Sequence, residues 1–220
     1  MSHSEQIVPA GRILRYAFHE RAWHWVVALS YIYLLLTGLA FWSPWLFWIA
    51  ILLGGAPVSR MLHPWFGIVF AVGVLQMYRM WSSQMHFDDA DRAWTKSMEH
   101  YIRNEDEQMP PAGRYNAGQK MLFWGFQICM VLMIVTGVIV WFPELMPRNL
   151  MLILRLSIFV HASAALLTIA LFLIHVYMTV FAERGAFGSV IRGDVSLKFA
   201  QRFHPGWYQE ITGRPSSPRK

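Results

Sequence analysis

One cysteine, Cys129, occurs in 220 residues. A single thiol excludes an internal disulfide, a C-x-x-C-H attachment motif and a cysteine-ligated cluster built within the chain. It sits in an apolar run and reads as a small buried side chain. No Gly-rich phosphate loop, H-E-x-x-H helix or nucleophile elbow occurs. Charge is scarce as well, at 15% of residues, and none falls between Arg21 and Arg60, from Met61 to Tyr78, from Met121 to Pro143 or from Leu156 to Ala182. Runs of that length exclude a water-soluble globular domain.

What remains is apolar and aromatic: 55% hydrophobic residues and eleven tryptophans. A membrane-spanning helix needs about 20 mainly apolar residues. Four spans fit, at 22–42, 61–81, 119–141 and 152–181, with a loop at 82–118 and a tail at 183–220, in one membrane domain covering 1–220. The expected fold is an all-α four-helix membrane bundle. The run 43–57 is broken by Ser43-Pro44 and Gly54-Gly55, which predicts a short interfacial helix rather than a fifth span. Trp42, Trp45, Trp48, Trp65, Trp81, Trp124 and Trp141 cluster near the span ends, where indole rings favour the headgroup layer, with core packing as the bland alternative. Met1 to Gly11 lacks the basic and apolar regions of a cleaved signal, so the first span is expected to be retained.

Lys and Arg set the expected orientation. Of nineteen, three precede the first span, six lie in 79–120 and seven in the tail. The positive-inside rule then places both termini and the middle connection in the cytoplasm, and accounts for the formal charge of +6 without nucleic acid. Asp88, Asp89, Asp91, Glu99, Glu105, Asp106 and Glu107 fall in the same connection, which reads as a mixed, solvated loop with an amphipathic helix over 90–103.

Four histidines lie in or beside the spans, where ionisable groups are costly and usually functional. His161 and His175 are fourteen residues apart, which on a helix is about 1400° of turn and roughly 21 Å of rise. They therefore share a face at two depths. With the N-terminus inside, His24 lies near the cytoplasmic face and His63 near the outer face. Matching depths pairs His63 with His161 and His24 with His175, because His24 with His63 would have to bridge nearly the ~30 Å hydrocarbon thickness. Two imidazoles per iron leave no open coordination site, which is electron-transfer chemistry. The pattern predicts two noncovalent haems. Gly38, Gly67, Gly73 and the run Ala162-Ser163-Ala164-Ala165 offer either room for a macrocycle or close helix packing. His3, His19, His86, His100 and His204 fall in connections or tails and read as solvated.

Arg21-Ala22-Trp23-His24-Trp25, Arg60-Met61-Leu62-His63-Pro64, Arg114-Tyr115-Asn116-Ala117-Gly118-Gln119-Lys120, Leu173-Ile174-His175-Val176-Tyr177-Met178 and His204-Pro205-Gly206-Trp207-Tyr208 resemble the cytochrome b (gamma) subunit of respiratory, membrane-bound formate dehydrogenases. The resemblance runs through nearly the whole chain. It implies two haems b, an outer one held by His63 and His161 and an inner one by His24 and His175. It also implies an iron–sulfur (beta) subunit that delivers electrons at the outer face, a molybdenum or tungsten catalytic (alpha) subunit that oxidises formate, and assembly as a trimer of heterotrimers. By the same likeness, menaquinone or ubiquinone is reduced at Asn116, Gly118 and Gln119, in a bacterial cytoplasmic membrane.

The first turn of a helix leaves backbone N–H groups without internal partners, and with two side-chain amides these can hold a quinone carbonyl. The simpler reading makes Asn116 an N-cap, Gly118 incidental and Lys120 a positive-inside anchor. Rival functions are the cytochrome b subunit of a nickel–iron hydrogenase or thiosulfate reductase, which a fifth span would favour, a proton-coupled transporter, and a colourless structural anchor. The sequence shows neither the internal repeat nor the paired carboxylate expected of a transporter.

Overall fold

The computed structural model describes residues 7–8, 11–103, 105 and 108–215. His3, Asp106 and Glu107 lie outside the described residues. In chain order the elements are β1 (Ile7–Val8), β2 (Arg12–Leu14), α1 (Phe18–Trp42), α2 (Trp48–Leu52), α3 (Ala56–Trp81), α4 (Asp89–Lys96), α5 (Met98–Ile102), α6 (Ala117–Trp141), α7 (Met151–Tyr177), α8 (Ala186–Ile191), β3 (Asp194–Ser196), α9 (Leu197–Phe203) and α10 (Pro205–Thr212). The chain is mostly helical, and α1, α3, α6 and α7 are long and apolar enough to cross a membrane.

The helix ends depart from the sequence expectation for local reasons. α1 starts a turn early because the Glu20 carboxylate accepts the Ala17 backbone N–H at 2.7 Å, which satisfies one first-turn donor. α3 also starts early, with Pro57 in its first turn, where a missing N–H costs nothing. α7 gives way to a π turn at Met178–Ala182, closed by Glu183 N–H donating to Met178 C=O at 2.8 Å. The segment after Ser43 forms a 3-10 turn and then α2, ending at Gly54 and Gly55, both with φ +95°.

The fold divides into two compact bodies: a loop-and-tail body of 1–21, 80–124 and 173–220, and a bundle body of 22–79 and 125–172. In the loop-and-tail body, the antiparallel order β1-β2-β3 pairs Ile13 with Val195. This small sheet is the difference from an all-α reading, and two- and three-residue strands carry no periodicity by which a sequence announces them. Its core holds Ile13, Ala186, Val195, Phe199, Ala200, Trp207 and Ile211. Each large apolar side chain buried there contributes about 1.5–3 kcal/mol. Arg15 is buried with its guanidinium 5.5–6.0 Å from the rings of Tyr16, Tyr115, Phe199 and Trp207. Gly193 closes the sheet: its φ is +97°, its carbonyl accepts from Arg15 and Tyr16 N–H, and an added Cβ would stand 2.6 Å from the Tyr16 carbonyl oxygen.

The middle connection is less solvated than its composition suggests. Its helix is broken at Ser97 into α4 and α5. Asp88 and Asp91 form a reciprocal capping box at the start of α4, and Asp91 and Trp94 are buried. Lys120 is buried too, its Nζ 2.5 Å from Asp91 Oδ2 and 3.0 Å from the His86 carbonyl. It is half of an internal ion pair, not a solvated anchor. Trp81 and Trp124 likewise turn inward, donating to Glu20 Oε1 at 2.7 Å and to the Met85 carbonyl at 2.9 Å. Trp42, Trp45, Trp48 and Trp65 are exposed, as an aromatic belt requires.

In the bundle body, Val27, Tyr31, Phe70, Val74 and Met130 form the core. Gly73 is a close-packing residue, since a Cβ there would lie 2.6 Å from Val27 Cγ2. Tyr31 donates to Thr168 Oγ1 at 3.1 Å and so ties α1 to α7.

Candidate functional site

His63 on α3 and His161 on α7 face one another in the bundle body, with ring centroids 6.5 Å apart and planes at 61°. The Thr37 hydroxyl on α1 lies 2.6 Å from His63 Nδ1, and the Thr136 hydroxyl on α6 lies 3.0 Å from His161 Nδ1. A glycine follows each threonine. A Cβ at Gly38 would stand 3.8 Å from His63 Cε1, and one at Gly137 would stand 3.2 Å from His161 Cε1. Gly67 has nothing within 4 Å of its Cβ position. Of the small residues singled out in the sequence, Gly38 borders an imidazole and Gly73 serves helix packing. Gly137, Thr37 and Thr136 escaped the sequence reading, although the repeated Thr-Gly pair at 37–38 and 136–137 was there to be seen.

The other two predicted ligands belong to different bodies. His24 packs edge-on against Trp25, with ring centroids 5.7 Å apart, in the bundle body. His175 lies near the end of α7, in the loop-and-tail body.

At the start of α6, Asn116 and Gln119 form a reciprocal cap: Gln119 N–H donates to Asn116 Oδ1 at 2.9 Å and Asn116 N–H donates to Gln119 Oε1 at 3.2 Å. Their amide nitrogens both donate to Glu183, Asn116 Nδ2 to Oε1 and Gln119 Nε2 to Oε2, each at 3.2 Å. Tyr101 O–H donates to the same carboxylate at 3.0 Å. Glu183 is 3% exposed. Sequence reasoning passed over it as the charge that ends the fourth span, and the π turn preceding it, which no sequence pattern announced, brings it to these amides. Gly118 is not incidental, because a Cβ there would meet Trp94 Cη2 at 3.0 Å and Asn116 Oδ1 at 3.3 Å.

The tail clamps this segment. His204, expected to be solvated, is fully buried; its Nδ1 donates to the Gly113 carbonyl at 2.9 Å, and its Nε2 is 4.0 Å from Glu183 Oε2. Gly206 N–H donates to the Ala112 carbonyl at 2.9 Å. Arg114 and Arg15 each donate to the other's carbonyl oxygen. A cavity of about 230 Å³ adjoins the segment, lined by Gln84, Asp88, Asp91, Arg114, Asn116 and Lys120 among others.

The family model of prokaryotic cytochrome b561 matches residues 15–193. The chain belongs to the prokaryotic cytochrome b561 family. It is 35% identical to the cytochrome b556(Fdn) subunit of the nitrate-inducible formate dehydrogenase of Escherichia coli, over 90% of this chain and 91% of that protein. It is 33% identical to the formate dehydrogenase cytochrome b556(fdo) subunit of the same organism, over 90% and 93%, and 29% identical to the formate dehydrogenase cytochrome b556 subunit of Haemophilus influenzae, over 90% and 83%.

Membership of this cytochrome family implies haem b and, with the four apolar helices, a multi-pass membrane protein taking part in electron transport. The facing imidazoles fit such a group. Metal–nitrogen bonds to histidine are about 2 Å. With 6.5 Å between their centroids, His63 and His161 would have room to hold the iron of such a group by one ring nitrogen each.

Proposed function

We propose that this chain is the quinone-reducing cytochrome b subunit of a membrane-bound formate dehydrogenase. It is a single membrane domain that holds an outer haem b by His63 and His161 and an inner haem b by His24 and His175. A partner subunit carrying molybdenum or tungsten oxidises formate, and an iron–sulfur subunit delivers the electrons at the outer face. The facing pair His63 and His161 carries this reading, because the structure brings together two residues that spacing and depth had matched. His24 and His175 rest on spacing and resemblance. Low-spin, bis-imidazole haem b supplies one-electron transfer with no site for oxygen.

The quinone reading rests on the start of α6. Ala117 and Gly118 N–H lie in the first helical turn, so they have no acceptor within the helix, and the helix dipole favours negative charge there. Each amide of Asn116 and Gln119 uses one N–H on Glu183 and retains a second for a quinone oxygen. Glu183 is the carboxylate that both amides contact, and it would be the group nearest them to relay a proton to that oxygen. The basic asymmetry of the loops supports a cytoplasmic position for this end, and the organisms of the relatives support a bacterial membrane. The test is a difference spectrum of the assembled complex. Formate should reduce its b-type bands and added quinone should reoxidise them, whereas bands that respond to hydrogen and not to formate would assign the chain to a hydrogenase.

A further inference from the structure

The two halves of the histidine pair are built alike. A Thr-Gly pair on one helix faces a histidine on the next long helix, 26 residues on in the first half and 25 in the second. In each half the threonine hydroxyl has a backbone acceptor on its own helix. Thr37 Oγ1 donates to the Tyr33 carbonyl at 2.8 Å, and Thr136 Oγ1 donates to the Leu132 carbonyl at 2.6 Å. A hydroxyl has one hydrogen, and with that hydrogen on the carbonyl each oxygen offers its histidine a lone pair. That arrangement favours the neutral tautomer with its proton on Nδ1, which leaves the lone pair on Nε2. Gly38 and Gly137 leave space beside the Cε1 atoms of the rings held in this way.

We propose that Thr37 and Thr136 are positioning residues that fix the tautomer and ring orientation of His63 and His161, presenting both Nε2 atoms as ligands and setting the electron donation of the pair. The inference rests on these two histidines sharing one haem. Partners of a ligating histidine orient it and raise its basicity, and their loss typically changes affinity or activity 10–100-fold. A more basic ligand favours the oxidised metal, so losing the acceptor favours the reduced form.

The experiment uses the purified holoprotein with Thr37→Val, Thr136→Val, the matching serine variants and His63→Ala, read by haem content, redox titration and the low-spin electron paramagnetic resonance signal. The valine variants should keep the haem but shift one component toward the reduced form by about tenfold in equilibrium constant, which is about 59 mV for one electron. Their resonance positions should move, and serine should restore both readouts. Unchanged potential and resonance in both valine variants, with His63→Ala deleting that component, would overturn the threonine role alone. If valine expels the haem, serine decides: recovery of haem and potential supports the role, and loss with serine as well overturns it. A full haem complement in His63→Ala would overturn the ligand assignment itself.

Discussion

Asn116 holds Glu183 through its amide nitrogen while its amide oxygen caps α6, so one side chain binds the carboxylate and starts the helix. Cap and carboxylate contact are separable by substitution. Asn116→Ser keeps a capping oxygen and loses the amide donor, whereas Asn116→Leu loses both, at about 1 kcal/mol for the cap. In the assembled complex, formate should still reduce both haems of either variant, and of Gln119→Leu. Reoxidation by quinone should slow about tenfold, since a lost buried polar contact costs about 1–3 kcal/mol. Wild-type reoxidation in Asn116→Ser would make the segment a helix cap and nothing more.

Much of this end of the molecule was legible in the sequence, and its failures have physical causes. Apolar run length gave the four long helices, and the run of tail residues His204-Pro205-Gly206 stood out as a motif. Burial of Asp91, Lys120 and His204 did not show, because each is made tolerable by a partner distant in sequence: Lys120 by Asp91, and His204 by the Gly113 carbonyl. Depth in the spans matched His63 with His161, whose ring centroids lie 6.5 Å apart. The threonines beside it were not, since a hydroxyl bonded to its own helix is unremarkable on a span until the neighbouring helix is placed.

The proposed orientation rests on the loop charges. A reporter fused at the C-terminus or after Pro110 should read cytoplasmic, and one at Gly55 or Pro147 should read external. A cytoplasmic signal at Gly55 would invert the proposed depths of both haems.

The small sheet should depend on acidity. The Arg12 guanidinium, 2.5 Å from Asp194 Oδ1, holds the Asp194 carboxyl below the usual carboxylate range, mainly by its hydrogen bond. A depressed value stabilises the fold at pH above the ordinary carboxylate pKa, and that contribution is lost as pH falls through the folded value. Hydrogen exchange of the β2 and β3 amides should therefore lose protection on acidification below about pH 4, and Asp194→Asn should remove that dependence while lowering protection modestly at neutral pH. An unchanged pH profile in Asp194→Asn would dismiss the pair as a contributor.

The two glycines beside the imidazoles should differ. At Gly38 a methyl group would make ordinary contact with His63, whereas at Gly137 it would press His161 at 3.2 Å. Gly38→Ala should leave the visible spectrum unchanged. Gly137→Ala should shift it or weaken haem retention, and Gly137→Val should lose one haem component. Equal tolerance at both positions would show that the His161 ring has room to move.

The most direct test of the two-haem account is the haem content of the purified protein and of its four histidine variants. The account predicts two noncovalent haems b per chain, extractable and low-spin, with His63→Ala and His161→Ala deleting one spectral component and His24→Ala and His175→Ala deleting the other. One haem per chain, or loss of the same component in His24→Ala and His63→Ala, would contradict it.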